Sequence, residues 1–511
     1  MATSTVVQQP STDPEAPARW TAALAGVVAA GGGLAVSELA ASFLGASSSP
    51  VVATGEAVIA AAPGALARPA IDLLGTADKP ALITAVVVVV VALGALLGIQ
   101  VRRRPGLAAA GFGVVAVVGA VAVVSRPDAG QLDAAAPLVG GVVTIFAVRW
   151  LLRPRPDVTV GEGRRRFLSE VALVGVGAVL LTGGSRLLGA SRRAAESARS
   201  TLRLPVRRAV VPTGADLGVP GISPFLTPSS EFYRIDTALT TPSIDPADWS
   251  LRIHGMVDRE ITLSYQDLLD RGLDDAWVTL CCVSNEVGGD LIGNSRWSGV
   301  LIAPLLAEAG VQRGADALLS TSEDGWTCGT PIEALTDGRA AMLALAMDGR
   351  PLPIEHGFPV RQVVPGLYGY VSATKWVVDW EVTRFDDVEA YWTSRGWGEK
   401  GPVKTQSRID TPRSDVDAGT VAVAGVAWAQ HTGIERVEIK VDDDPWQVAR
   451  LGRVPGVDTW VQWVVEWDAA PGAHVIQVRA TDLSGYTQTP DVADVLPDGA
   501  TGWDSVSITV R

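Results

Sequence analysis

Cys281 and Cys282 stand side by side in the segment Thr279-Leu280-Cys281-Cys282-Val283-Ser284-Asn285, at the end of an apolar run. A cysteine delivered by a buried strand to a polar, positively charged pocket is suited to be a deprotonated, soft metal ligand. From spacing alone, a buried structural cysteine remains the simpler explanation. The third cysteine, Cys328, stands alone, and three cysteines cannot build a disulfide framework. The four histidines, His254, His356, His431 and His474, all lie beyond residue 250. That is too few for a cytochrome domain, and no Cys-x-x-Cys-His motif attaches a haem. No glycine-rich fingerprint follows a strand, so no flavin or nicotinamide domain is expected.

The elements around these cysteines predict an α+β catalytic domain over 231–402. Trp249–Ile253, Trp277–Leu280 and Val360–Val364 have strand patterns, with Trp277–Leu280 running directly into Cys281. Thr262–Leu269, opened by a capping threonine, and Ala303–Ala309 have helix patterns. Residues 191–230, rich in Ser, Pro and Arg, predict a linker. From 403 to 511 the composition changes to β-branched runs separated by Gly, Pro and Asp turns: Val421–Val426, Val437–Val441, Trp460–Trp467, His474–Ala480 and Ser505–Val510. These predict an immunoglobulin-like β-sandwich of roughly a hundred residues. Its tryptophans (Trp428, Trp446, Trp460, Trp463, Trp467, Trp503) are expected in the core or an interface.

Residues 1–190 predict a membrane anchor. Five stretches, at 20–45, 81–100, 106–124, 134–152 and 167–189, are long enough, or nearly so, to cross a hydrocarbon core of about 30 Å at 1.5 Å per residue. A weaker stretch at 51–74, interrupted by Glu56, Pro63, Arg68, Pro69 and Asp72, predicts an amphipathic or partly inserted segment on the outer face. Arg102, Arg103 and Arg104, and the arginines between the fourth and fifth spans, place those loops in the cytoplasm. Everything after about 190 is then extracytoplasmic. Arg164-Arg165-Arg166-Phe167-Leu168 looks like a twin-arginine export signal, in an internal position. No span contains a histidine and Glu38 is the lone acid of the first, so the bundle is expected to anchor rather than to transport ions or carry haem. Residues 1–200 carry 17 Lys/Arg against 12 Asp/Glu, and the remaining residues 25 against 43. Such an acidic soluble part argues against nucleic acid as a partner.

Thr-Leu-x-Cys-x-x-Asn followed by Ile292-Gly293-Asn294-Ser295-Arg296-Trp297-Ser298-Gly299-Val300 resembles the cysteine segment of the sulfite oxidase family. Glu355-His356-Gly357-Phe358-Pro359-Val360-Arg361, Val364-Pro365-Gly366 and Lys375-Trp376 resemble its downstream signatures, in the same order. The resemblance runs from about Phe232 to Gln406, and 403–511 resembles the family's dimerisation domain, so a homodimer is implied. It implies molybdenum bound by one pterin dithiolene, oxo ligands and a protein thiolate, here Cys282. By match, Tyr233 and Arg234 contact the cofactor, Asp324 lies beside the pterin, and His356, Arg361 and Lys375 surround its phosphate. A buried dianionic phosphate needs fixed cations, and arginine offers bidentate donors. Cys282, Arg234 and Trp397 are the expected catalytic groups, Trp397 standing near the family's active-site tyrosine. Asp236 replaces a usual histidine, and Glu286-Val287 replaces basic residues, which puts sulfite itself in doubt.

The implied activity is two-electron oxygen-atom transfer on a small molecule, with electrons exchanged through a separate carrier. Reduction of a sulfoxide or N-oxide is the alternative direction. A non-catalytic membrane receptor is the alternative of another class.

Overall fold

The structure is a computed structural model describing residues 19–44, 49–62, 77–101, 103–126, 129–153, 160–187 and 190–511. The chain divides into two compact units, residues 1–190 with 238–240, and residues 191–237 with 241–511.

The first unit is helical: α1 Arg19–Leu44, α2 Pro50–Ala61, α3 Asp78–Gln100, α4 Pro105–Val124, α5 Ala135–Leu151 and α6 Val160–Leu187. Four of its helical segments, Arg19–Leu44, Asp78–Gln100, Pro105–Val124 and Gln131–Leu151, are long and apolar enough to cross a membrane. The stretch 167–189 falls on α6, apart from Leu188 and Gly189, which lie outside the described residues. Of the weaker stretch 51–74, α2 covers the first part, and residues 63–74 lie outside the described residues. Small residues set the helix contacts, because they let helix backbones approach closely. A methyl added at Gly26 would overlap the Gly94 carbonyl, and one at Gly33 the Gly140 carbonyl, so these backbones touch directly. Val88, Val89 and Leu96 of α3 are exposed.

Helix Ala190–Thr201, in the second unit from Ser191 on, stands where a plain linker was expected. Arg199 holds it by donating from Nε to the Leu352 carbonyl at 2.6 Å. One five-stranded sheet has the order Ile261–Ser264, Ser250–Gly255, Val377–Thr383, Ala317–Ser322, Thr327–Pro331, with only Ser250–Gly255 and Val377–Thr383 parallel. A second sheet is antiparallel, in the order Asp274–Cys281, Ile292–Leu301, Met342–Met347, Arg350–Pro351, with Arg361–Val363 also on Met342–Met347. The helix expected over Thr262–Leu269 is shorter and differently capped. Ile261 to Ser264 pair with Ser250–Ile253, and helix Tyr265–Asp270 begins after Ser264. Ser264 and Asp267 form a reciprocal capping box, the Asp267 carboxylate accepting from Ser264 N at 2.7 Å.

Beyond Gln406, two four-stranded antiparallel sheets enclose one core that includes Ile409, Val423, Trp463, Ile439 and Val478. Strand Asp504–Val510 alternates buried and exposed residues throughout. Trp428, Trp460, Trp463 and Trp467 are buried, whereas Trp446 and Trp503 are half-buried and meet edge to face at 5.0 Å. The strand leading to the cysteines is fastened to these sheets. Thr279 accepts on its hydroxyl oxygen from Trp460 N at 2.8 Å and donates to Asn294 Oδ1 at 2.9 Å, while its own N–H donates to the Asp458 carbonyl.

Candidate active site

Strand Asp274–Cys281 delivers two neighbouring thiols to opposite environments. Cys281 is 1% exposed and packs into the core; Cys282 is half-buried and lies on the wall of a cleft. The Asn at the third position after Cys282 has a structural reason. Asn285 donates from N to the Cys282 carbonyl at 3.1 Å and accepts on Oδ1 from Leu291 N at 2.8 Å. That closes the turn and fixes the direction of Cys282. Burial pushes the Cys282 thiol up, while hydrogen bonds from Ser284 and Val283 oppose the rise.

The cleft encloses about 860 Å³, its open mouth included. Two buried cations line it. Arg361 is 5% exposed and meets no carboxylate among the described residues; it donates only to the carbonyls of His356 at 3.2 Å and Ala373 at 3.5 Å. Its Nε has no partner, and its guanidinium stacks over Trp297 at 5.0 Å. Burial pushes Arg361 down to about 10. Lys375 donates to Asp236 Oδ2 at 2.8 Å and to the Glu355 carbonyl at 3.3 Å. Burial takes it down to about 8 although Asp236 opposes the shift. Gly357 lets the two cations approach: at φ +106°, a Cβ there would stand 2.9 Å from Arg361 Cβ and 3.2 Å from Lys375 Cα.

His356 Nε2 pairs with the Ser229 carbonyl at 3.0 Å, and burial with two neighbouring cations takes it down to about 4, so it is neutral at pH 7. Tyr233 stacks on Phe232 at 5.3 Å, and its phenol is held well above its ordinary value by burial and by the two cysteines. Asp324 is raised by burial and accepts a hydrogen bond from the Ser322 hydroxyl. Trp397 meets Trp392 edge to face at 6.3 Å and Tyr370 at 6.0 Å, forming an aromatic wall.

Seven of the expected residues therefore share one cleft: Tyr233, Cys282, Asp324, His356, Arg361, Lys375 and Trp397. Arg234 does not join them. It is exposed, outside the lining, and held by Asp236 at 2.9 Å and Thr241 at 2.9 Å, because the chain turns its side chain outward between Tyr233 and Ile235. Glu286 is also exposed and outside the cleft, since the turn closed by Asn285 faces it to solvent. Residues not singled out as cleft groups from the sequence include Asp236, Ser322, Trp326, Tyr370 and Trp392. Asp236, Ser322, Trp326 and Trp392 each lie within five residues of a group the sequence did single out, Arg234, Asp324 or Trp397, whereas Tyr370 had no such signal beyond Lys375, five residues on.

Residues 238–392 match the family described as oxidoreductase molybdopterin binding domain. An uncharacterized oxidoreductase of Bacillus subtilis, YuiH, is 31% identical over 157 residues, 31% of this chain and 76% of that protein. The chain belongs to the sulfite oxidase family of molybdopterin oxidoreductases. Human mitochondrial sulfite oxidase is 28% identical to this family member over 328 residues, 52% of this chain and 58% of that enzyme. The chain thus spans little over half the length of that curated relative. Among solved structures, the sulfane dehydrogenase SoxCD of Paracoccus pantotrophus superposes with a TM-score of 0.49 at 22% identity, covering 60% of this chain and 90% of that one.

The cleft fits the anionic cofactor of the family. A buried guanidinium with an unpartnered Nε and no carboxylate is costly by itself and calls for an anion.

Proposed function

We propose that this oxidoreductase catalyses two-electron oxygen-atom transfer on a small substrate outside the membrane, exchanging electrons with a separate carrier. Cys282 would ligate molybdenum, and Arg361 and Lys375 would hold the pterin phosphate, with His356, Tyr233 and Asp324 beside it. When bound, the cofactor supplies a metal that accepts or donates an electron pair together with an oxygen atom. The protein's own contribution is to fix the thiol through Asn285, to neutralise the phosphate, and to exclude water with Trp392, Trp397 and Tyr370. Neutral His356 donates its one N–H, on Nε2, to the Ser229 carbonyl, which leaves the Nδ1 lone pair as an acceptor that adds no charge. The four apolar helices, with α6 as a fifth crossing, would anchor the chain in the membrane with the arginine-rich loops inside and the residues after about 190 outside, and the C-terminal sheets would support a homodimer.

One observation carries this proposal: a half-buried Cys282 shares a cleft with two buried cations, one of them without a carboxylate. Molybdenum and pterin measured per purified chain test it. Wild type and Cys281→Ser should load about equally; Cys282→Ser should fold yet lose activity, because an alkoxide is a harder donor than a thiolate. A molybdenum-free wild type with no turnover would favour a non-catalytic receptor instead.

Arg361 and Lys375 are the only Lys or Arg side chains among the described lining residues. Once a phosphate engages both, no cation remains for a substrate oxyanion, and the aromatic wall suits a neutral molecule. That favours sulfoxide or N-oxide reduction over sulfite oxidation as the working direction. Turnover of sulfite with an artificial acceptor, against dimethyl sulfoxide with an artificial donor, decides between them.

A further inference from the structure

The turn that aims Cys282 is closed by its own atoms but supported from a distant part of the chain. Within it, Cys282 N donates to the Leu291 carbonyl at 2.9 Å, and Gly289 N to the Glu286 carbonyl at 3.0 Å. With the two bonds of Asn285 described above, these make residues 282–291 one compact loop between strands Asp274–Cys281 and Ile292–Leu301. Such bonds fix the loop's internal shape. They do not stop it from rocking as a body on its two strand ends, which would swing the Cys282 thiol.

The outer side of the loop rests on Arg408, from strand Gln406–Thr411 of the C-terminal sheets. Arg408 is 6% exposed, and its Nη1 donates to the Gly289 carbonyl at 2.6 Å. Its other donors are committed elsewhere: Nε to Asp410 Oδ1 at 2.7 Å and Nη2 to the Ser223 hydroxyl at 2.9 Å. Ser223 N in turn donates to Asp410 Oδ2 at 2.9 Å, so guanidinium, carboxylate and serine close a ring. Planar and pinned on two sides, the guanidinium presents Nη1 in one direction only. A second support is Asp504, whose Oδ2 accepts from Ile409 N at 2.8 Å. A Cβ on Gly288, at φ +76°, would stand 2.5 Å from Asp504 Oδ1, so the loop backbone lies directly against that carboxylate. Gly289 is equally confined, since a Cβ there would stand 2.7 Å from Asn285 Oδ1. The two consecutive glycines let the loop press against its supports.

We propose that Arg408 is a positioning residue for Cys282: through it the C-terminal sheets hold the turn that presents the metal ligand. The proposal rests on the reading above that Cys282 ligates molybdenum.

The test uses the full chain purified in detergent, as wild type, as Arg408→Met combined with Asp410→Asn, and as Arg408→Lys. The double variant removes both buried charges together and so leaves neither unpaired. Arg408→Lys keeps a charge beside Asp410, but one ammonium does not reproduce the fork that reaches Asp410, Ser223 and Gly289 at once. Amide hydrogen exchange is followed on cofactor-free protein. The Cys282 and Leu291 amides, which close the turn, should exchange about ten- to a hundredfold faster in the double variant, the effect of losing one bond from a charged donor. Arg408→Lys should raise them by a smaller factor. Amides of strand Met342–Met347 should keep their wild-type rates, which a general loosening of the unit would not allow. In molybdenum-loaded protein, the paramagnetic resonance of the half-reduced metal depends on the direction of the thiolate and should pass from one species to several. Unchanged exchange at Cys282 and Leu291, or a rise shared equally by Met342–Met347, would overturn the proposal; should the double variant not fold, Arg408→Lys decides by the same criterion. A wild type that never takes up molybdenum defeats the function proposed for the cleft. A loaded double variant with wild-type exchange and an unchanged resonance defeats this proposal alone.

Discussion

Replacing Arg361 by methionine should have opposite effects on the cofactor-free and cofactor-bound protein. Burial pushes Arg361 from the ordinary guanidinium value down to about 10, a drop of some two to three pK units. Each pK unit is 1.36 kcal/mol, so holding this charge costs the cofactor-free fold about 3 kcal/mol. Because the folded value lies below the unfolded one, that cost is in full force at every pH below about 10. Methionine removes it and keeps most of the apolar volume. It forfeits the two long bonds to the His356 and Ala373 carbonyls and the stack on Trp297, together about 1–2 kcal/mol. The cofactor-free variant should therefore be about 1–2 kcal/mol more stable, seen as a rise of a few degrees in the melting temperature. Cofactor retention should fall in the same variant. A charge-assisted bond contributes about 1.5–3 kcal/mol, so affinity should drop roughly 10- to 150-fold. The assay is scanning calorimetry of protein made without molybdenum, alongside metal analysis of protein made with it. A variant that melts several degrees lower when cofactor-free, yet carries its full molybdenum complement, would refute this account of the cleft.

Lys375 makes the cleft sensitive to pH. Its folded value of about 8 lies below the ordinary 10.5, so the cofactor-free fold should gain stability as pH rises from about 8 to 10.5. Uptake of an anionic cofactor should fall as the lysine loses its proton above about 8; reconstitution of cofactor-free chain between pH 6 and 9.5 measures this, and Lys375→Met should flatten the profile. Arg164→Lys combined with Arg165→Lys retains charge but not the twin-arginine motif, so residues 200–511 should no longer reach the outer face; normal protease accessibility in the double variant would reduce the motif to a plain basic flank.

Much of the cleft is legible in the sequence because its signals are local. The Cys-x-x-Asn spacing is the span of a single turn, and the Asn285 side chain that closes it belongs to the same few residues. His356, Gly357 and Arg361 likewise act within one short loop, with Gly357 allowing the second cation, Lys375, to approach. The alternating runs after residue 406 declare their strands for the same reason, since the face each residue takes depends only on its neighbours.

What escapes is set by partners far along the chain. Asp236 is conspicuous in the sequence only as an unexpected acid, yet in the fold it pairs with Lys375, 139 positions later, and with Arg234 two positions away. No local pattern predicts that one acid will pair with a lysine inside the cleft and an arginine outside it. Arg234 and Glu286 show the complementary effect: each sits within a few residues of a cleft group in sequence, yet both are exposed and outside the lining. Side chains of successive extended residues point to opposite sides, and a closed turn faces its middle outward. The cleft's charge is therefore decided by which of these neighbours the backbone turns inward. With Arg234 and Glu286 both outside, Asp236 and Asp324 are the acids that face Arg361 and Lys375. Since burial raises Asp324 toward its neutral form and Asp236 is paired to Lys375, the guanidinium of Arg361 is left as the strongest uncompensated charge in the cleft.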